Sequence, residues 1–147
     1  MKLKSSAFEE NQTIPIIYTC DGDNINPHLD ISEVPPSAQS LVLIVDDPDA
    51  PDGTFTHWMV WDIPPQTLEI SENSFPEGST QGINSAGQVG YFAPCPPSGL
   101  HHYHFKLFAL NRKLDVTQNI SREELEREMD GAIIEETETV GTYSRAS

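Results

Sequence analysis

The sequence predicts a mainly β protein whose strands form two antiparallel β-sheets, in a sandwich-like arrangement with one short accessory helix. Its apolar segments are short, rich in β-branched and aromatic residues, and separated by turn residues. The 147 residues include 12 prolines and 9 glycines, which favours many turns over long helices. No linker or internal repeat divides the chain, so we expect a single domain over residues 1–147.

Three apolar segments in the first half predict strands. Residues 14–20 (IPIIYTC) have strand-like composition and are followed by a turn sequence, DGDN. Residues 40–45 (SLVLIV) are apolar without alternation, which is typical of a strand that is buried on both faces. Residues 56–63 (THWMVWDI) predict a second buried strand, which ends at two prolines.

The second half alternates irregular and regular segments. Residues 68–97 are rich in Ser, Gly, Asn and Pro, and irregular segments of this length are often functional. Residues 101–110 predict a strand in which His101 and Tyr103 lie on the same face. The capping box SREE predicts a helix near 121–130, and residues 132–145 predict a final strand at a sheet edge.

The charge of the chain excludes two classes of partner. With 23 acidic and 8 basic side chains, the formal net charge is −15 at pH 7. Such a surface repels phosphate backbones and anionic bilayers, so we expect neither nucleic-acid binding nor peripheral membrane binding. Because no apolar run is long enough to cross a bilayer, we also expect no stable membrane insertion. The excess of carboxylates favours solubility and does not indicate a particular fold.

The N-terminal segment and the cysteines bear on location. The first six residues carry two lysines, but no apolar run follows them, so no signal peptide is predicted. The longest strong apolar run, residues 41–45, is far shorter than the roughly 20 residues that span a bilayer. We therefore expect a cytoplasmic protein in which Cys20 and Cys95 are unpaired, because disulfides are rare in reducing compartments.

Polar residues at three strand ends form the candidate site. Asp47 and Asp49 follow the buried strand in the sequence DPDAP, whose prolines stiffen the loop. On pattern alone, this segment also fits a polar turn whose aspartates cap backbone amides. His57 and His101 each begin a strand, and either one alone fits a hydrogen-bonded core histidine. Together, these side chains predict one shared cavity.

The sequence gives little support for a metal site, a catalytic nucleophile or a nucleotide-binding motif. His101 and His102 point to opposite faces of their strand, so we predict no metal site. No Gly-x-Ser-x-Gly elbow occurs, and prolines around Cys95 remove the N–H donors that an oxyanion hole needs. No P-loop or dinucleotide-binding glycine motif is present. We therefore expect no catalytic residue and no cofactor, and we predict that the protein is not an enzyme.

Three motifs in the same order resemble the phosphatidylethanolamine-binding protein family, also called Raf kinase inhibitor-like proteins: DPDAP at 47–51, THW at 56–58, and GYFAPCPPSGLHHY at 90–103. Residues 18–22 and 141–145 resemble its short bacterial and archaeal branch. The resemblance implies two antiparallel sheets and a pocket for phosphate, acetate or a phosphorylated headgroup. The ligand-binding residues that it implies are Asp47, Asp49, His57, Pro94, His101 and Tyr103, with residues 94–97 as the rim.

The sequence departs from the family pattern at three places. Ala93 stands where the family usually has glycine, which predicts a narrower rim or an altered backbone. Residues 26–31 read NPHLDI instead of SPPLSW. The chain ends at Ser147 without the extra C-terminal helix of eukaryotic members, so a more open pocket is expected.

The function predicted from these observations is that of a small-ligand-binding module for an anionic or phosphorylated group. Because the chain is strongly acidic, the positive charge must come from a protonated His57 or His101, and anion binding should weaken as pH rises. The main alternative, by family analogy, is a kinase or protease modulator that acts through protein–protein contacts. A hydrolase that uses Cys95 or an Asp–His pair is a minor alternative.

Overall fold

The structure is a computed structural model that describes residues 1–145. Two antiparallel sheets have the strand orders β1-β2-β5 and β6-β4-β3-β7-β8. This arrangement confirms the predicted mainly β fold. The elements are β1 (Lys2–Lys4), β2 (Leu29–Ser32), β3 (Ser40–Asp47), β4 (Phe55–Ile63), β5 (Glu69–Ile70), β6 (Thr80–Gln81), β7 (His101–Leu110), α1 (Arg122–Met129) and β8 (Ile133–Tyr143).

The larger sheet is covered on both faces. On one face, Trp58, Tyr103 and Phe105 belong to a core shared with the smaller sheet. On the other face, Leu125 and Met129 of α1 belong to a second apolar cluster with side chains of β3 and β4. Every residue of β3 is buried, which explains its continuous apolar run.

Strand β7 separates its side chains by alternation. His101, Tyr103 and Phe105 are buried, whereas the alternate residues from His102 to Phe108 are half-buried. The predicted shared face of His101 and Tyr103 is therefore confirmed. Strand β8 pairs only with β7 among the strands of the larger sheet, so it forms one edge, as predicted.

The single α-helix that the structure describes begins with the predicted capping box. The Ser121 hydroxyl accepts a hydrogen bond from the Glu124 N–H at 3.1 Å, and the Glu124 carboxylate accepts one from the Ser121 N–H. Gly131 follows the helix with φ of 79°, a conformation that glycine adopts readily. Within residues 1–145, no helix is long and apolar enough to cross a membrane.

The prediction of a strand at residues 14–20 is wrong. Ile16–Tyr18 form a short 3₁₀ turn, in which the Tyr18 and Thr19 N–H groups donate to the carbonyls of Pro15 and Ile16. Pro15 lacks an N–H and sits just before the turn with φ of −56°, so it favours a turn over a central strand. The neighbouring Ile14 is linked to β8, because its N–H donates to the Thr142 carbonyl at 2.7 Å.

The prediction of unpaired cysteines is also wrong. Cys20 and Cys95 form a disulfide across a sequence separation of 75 residues, with their Cα atoms 5.4 Å apart. The 3₁₀ turn brings Cys20 to this position, where its N–H donates to the Pro94 carbonyl at 3.1 Å. The pairing therefore depends on a contact between distant segments, which the cysteine spacing alone does not indicate.

Candidate ligand-binding site

A cavity of about 360 Å³ lies at one end of the larger sheet. Asp47, His57 and His101 come from three separate segments and line this one cavity, as predicted, together with Tyr103. Most of the remaining wall is formed by residues 50–55 and by Phe92, Cys95, Pro96 and Pro97.

Strand order explains why these side chains meet. Strand β3 is antiparallel to both β4 and β7, so its last residues lie beside the first residues of those two strands. Asp47 is the register partner of Phe55, which begins β4, and Asp46 is the partner of His104, near the start of β7. The three strand ends on which the sequence prediction was based therefore lie next to one another in the structure.

Asp47 and His101 form a buried pair. The His101 Nδ1 lies 2.5 Å from Asp47 Oδ2, and the two side chains are 7% and 4% exposed. The other carboxylate oxygen of Asp47 accepts a hydrogen bond from the Asp49 N–H at 2.8 Å. Because a carboxylate accepts hydrogen bonds, the His101 Nδ1 carries the hydrogen, and Nε2 is the ring nitrogen left to meet a ligand.

His57 is held differently from His101. Its Nδ1 donates to the Phe92 carbonyl at 2.6 Å. Burial lowers the pKa of His57, although the hydrogen bond to Phe92 and the charge of Asp47 act in the opposite direction. The His57 ring is therefore neutral near pH 7, with Nε2 as an acceptor.

Tyr103 lies between the two imidazoles. Its ring meets His57 edge-on at a centroid distance of 5.3 Å and stacks with His101 at 6.4 Å. Burial, followed by the negative charge of Asp47, raises the pKa of the Tyr103 phenol well above its usual range. The phenol stays protonated, so it offers the cavity a hydrogen-bond donor.

Two of the predicted ligand-binding residues, Asp49 and Pro94, lie outside the cavity lining. The Asp49 carboxylate accepts hydrogen bonds from the backbone N–H and Nδ1 of His102, both at 2.8 Å. The Pro94 carbonyl accepts the bond from Cys20. In this structure, both residues position the loops that border the cavity.

Sequence reasoning missed the aromatic wall and the cross-linked rim. Phe55 packs against His57 with a centroid distance of 4.6 Å and against Phe92 with 5.6 Å. Phe55 is two residues before His57 on β4, so strand periodicity carried a signal for it. Cys95 lines the cavity and is bonded to Cys20. No local sequence pattern predicts this bond.

Ala93 fits its position without backbone strain. The residue is buried, and its N–H donates to the Asn24 side chain at 3.0 Å. It is not among the residues with positive φ, so this backbone does not require glycine. Alanine therefore causes no backbone strain at residue 93, and the altered backbone predicted for this position is not needed to accommodate it.

The fold and this cavity define a two-sheet β protein with a pocket at the end of its larger sheet. A family model described as phosphatidylethanolamine-binding protein matches residues 4–144. The chain therefore belongs to the phosphatidylethanolamine-binding protein family, which confirms the resemblance found in its motifs.

Relatives and solved structures agree with this assignment. The chain is similar to a UPF0098 protein of Methanothermobacter thermautotrophicus, with 45% identity over 99% of each chain. It is 50% identical to a UPF0098 protein of Pyrococcus horikoshii, over 99% of this chain and 78% of that one. A crystal structure of a phosphatidylethanolamine-binding protein homologue from Chlamydia trachomatis has a TM-score of 0.94 and 41% identity, covering 98% of this chain and 97% of that one. Escherichia coli YbcL has a TM-score of 0.92 and 28% identity, covering 99% and 98%.

Proposed function

We propose that the protein is a small-ligand-binding module whose cavity takes an anionic group, such as phosphate, acetate or a phosphorylated headgroup. The buried Asp47–His101 pair carries this proposal. A bound anion favours the protonated form of His101, whose Nε2–H then donates to the ligand while Asp47 balances the charge. The Tyr103 hydroxyl supplies a second donor on the same wall.

The acidic surface does not prevent this binding. Charges farther away than about 8 Å are largely screened at physiological salt, so the net charge of −15 mainly slows the encounter. Inside the cavity, Phe55, Phe92 and Pro96 exclude water from part of the wall. A lower local dielectric strengthens the interaction between the anion and a protonated His101.

Calorimetric titration with acetate tests the proposal. We expect affinity to fall between about pH 5.5 and about pH 8, by up to tenfold per pH unit for one proton taken up on binding. His101→Gln should abolish this pH dependence. His57→Gln should keep it, because His57 is neutral over most of this range. Equal acetate affinity at the two pH values, in folded protein, would exclude His101 as the source of charge.

We also propose that the protein is not an enzyme. The Cys95 sulfur is bonded to Cys20, so it is not available as the nucleophile of a hydrolase. Purified protein should therefore show no turnover of carboxylic esters or phosphate monoesters. Turnover that is lost in His101→Gln would instead assign the Asp47–His101 pair to catalysis.

A cytoplasmic location and a protein partner are further proposals. In the cytoplasm the Cys20–Cys95 bond must resist reduction, because disulfides persist mainly in oxidising compartments. Fractionation of host cells, followed by mass spectrometry without reduction, tests both the location and the bond. A kinase or protease that binds His101→Gln as well as the unchanged protein would favour a role through surface contacts.

A further inference from the structure

A second cavity of about 510 Å³ lies on the opposite face of the larger sheet. It is called here the polar cleft and is bordered by Asp46, Thr56, Ile83, Lys106, Arg122 and Glu126. Residues from β3, β4 and β7 form its base, and the first turns of α1 form one side. Asp46 and Asp47 are consecutive in β3, so their side chains point to opposite faces of the sheet.

The Asp46 carboxylate is buried and only partly satisfied. Its side chain is 2% exposed, and Oδ2 accepts hydrogen bonds from Lys106 Nζ at 3.1 Å and from Arg122 Nη2 at 3.0 Å. Its other oxygen, Oδ1, is buried without a hydrogen-bond partner among residues 1–145. Buried acceptors are rarely left unsatisfied, because each one loses its hydration without compensation. Asp46 Oδ1 is therefore an acceptor whose hydrogen bond the described residues do not supply.

Arg122 is held in place by several groups. Its Nη1 donates to the Thr56 hydroxyl at 2.9 Å, while Nη2 bonds to Asp46. Its Nε lies 2.9 Å from Glu126 Oε1, an ion pair by distance that lacks the alignment of a hydrogen bond. These contacts fix the guanidinium at the cleft, so the polar wall is organised before any ligand arrives.

The charges of the cleft select against ionic ligands. Its walls carry the carboxylates of Asp46, Glu123 and Glu126 and the cations of Lys106 and Arg122. An anion would meet an excess of carboxylates, and a cation at Asp46 Oδ1 would lie beside two fixed positive groups. A neutral hydroxyl avoids both costs, since it donates to a carboxylate and also accepts hydrogen bonds.

We propose that the polar cleft is a second ligand site, which takes a small neutral molecule rich in hydroxyl groups, such as a polyol or monosaccharide. One ligand hydroxyl donates to Asp46 Oδ1 once a rotation of the side chain brings this buried oxygen to the surface of the cleft. Thr54 and Ser85 are exposed residues that border both cavities, and the Thr54 hydroxyl can supply a further hydrogen bond, while the Ser85 hydroxyl already accepts one from the Thr56 N–H. This proposal does not rest on the anion proposed for the cavity at Asp47, because its polar wall is formed by Asp46, Lys106 and Arg122.

An NMR titration of backbone amides tests the proposal, with glycerol, myo-inositol and glucose as probes. We expect saturable shifts, with a Kd in the millimolar range, at Thr56, Ile83 and Glu123. The amides of His101 and Tyr103 should not move. Inorganic phosphate and methylammonium serve as charged probes and should produce no saturable shift in the cleft.

Two variants and one control make the test specific. Asp46→Asn replaces one of the two carboxylate acceptors by an NH₂ donor and should weaken binding about tenfold. Ile83→Trp fills the cleft from a half-buried position and leaves the ion-pair residues themselves unchanged, so it remains informative if Asp46→Asn does not fold. The matched control is Val89→Trp, because Val89 is the exposed bridge partner of Ile83 and does not line the cleft.

Loss of the shifts in Ile83→Trp together with their retention in Val89→Trp would support the site. The absence of saturable shifts with all three polyols would overturn it, and a water molecule would then satisfy Asp46. Saturable shifts with phosphate at the cleft would overturn the assigned ligand class. Polyol shifts confined to His101 and Tyr103 would place the binding in the other cavity and also overturn the proposal.

Discussion

Asp46 and Asp47 end the same strand, yet the two carboxylates have different partners. Asp46 faces α1 and pairs with the ammonium of Lys106 and the guanidinium of Arg122. Asp47 faces the other side and pairs with the imidazole of His101. One strand end therefore carries an ion network on one face and a carboxylate–imidazole pair on the other.

The walls around the two aspartates also differ in their chemistry. Around Asp47 the walls are aromatic rings and prolines, and the rim is cross-linked by Cys20 and Cys95. Around Asp46 the walls carry hydroxyls and charges. Strand alternation is sufficient to place two chemically distinct cavities one residue apart.

The largest expected effect comes from removing the disulfide, which borders only the cavity at Asp47. Cys20 and Cys95 are separated by 75 residues, and closing a loop of this length should stabilise the fold by about 4 kcal/mol. We expect the Cys20→Ser, Cys95→Ser double variant to lose stability of this order in urea unfolding. NMR shifts should occur at Phe92 and not at Arg122. An unchanged free energy of unfolding would contradict the prediction.

The second prediction compares the two aspartates directly. Asp46→Ala leaves Lys106 and Arg122 without their shared buried partner, which should cost about 3 kcal/mol. Asp47→Ala removes hydrogen bonds to His101 and to the Asp49 N–H and should cost about 2 kcal/mol. Urea unfolding of both variants measures the difference. A greater loss of unfolding free energy in Asp47→Ala than in Asp46→Ala would contradict this prediction.

The third prediction concerns acid. Burial lowers the pKa of His57 in the folded protein below its ordinary value of 6.5. Between the folded and unfolded pKa values, the unfolded chain binds more protons, so stability decreases as pH falls, by at most about 1.4 kcal/mol per pH unit. His57→Gln should remove this part of the slope in urea unfolding measured over a pH series. An unchanged slope would mean that His57 does not cause the acid sensitivity.

Much of the fold was predictable because local signals agreed with the final packing. The continuous apolar run predicted β3, the alternation predicted the faces of β7, and the capping box predicted α1. The cavity at Asp47 was predictable because its polar side chains come from strand ends, which meet at one edge of an antiparallel sheet.

The features that escaped prediction depend on distant residues. The residues of the 3₁₀ turn at Ile16–Tyr18 have the composition of a strand, but Pro15, directly before them, favours a turn. The disulfide joins residues 75 apart, and the bond between Asp46 and Arg122 joins residues 76 apart. No local pattern shows which carboxylate a helix residue will meet after the chain has folded.

The smallest expected effect is at Asp49, which the sequence assigned to the ligand and the structure places outside the cavity. Hydrogen bonds from the side chain and then the backbone of His102 lower the pKa of Asp49. A lowered carboxyl pKa stabilises the fold above the unfolded value, and this contribution is lost as pH falls through the folded pKa. Because the side chain is 40% exposed, solvent screening limits the effect to about 0.5 kcal/mol.

Asp49→Asn should therefore cost about 0.5 kcal/mol in urea unfolding at neutral pH, and the difference from the unchanged protein should shrink in strong acid. Its acetate affinity should stay nearly the same, because the backbone N–H that bonds to Asp47 is retained. Asp47→Asn is the matched comparison, since it makes the same chemical change at the cavity wall. If Asp49→Asn weakens acetate binding as strongly as Asp47→Asn does, then Asp49 contacts the ligand, and the loop must close over the cavity when the anion binds.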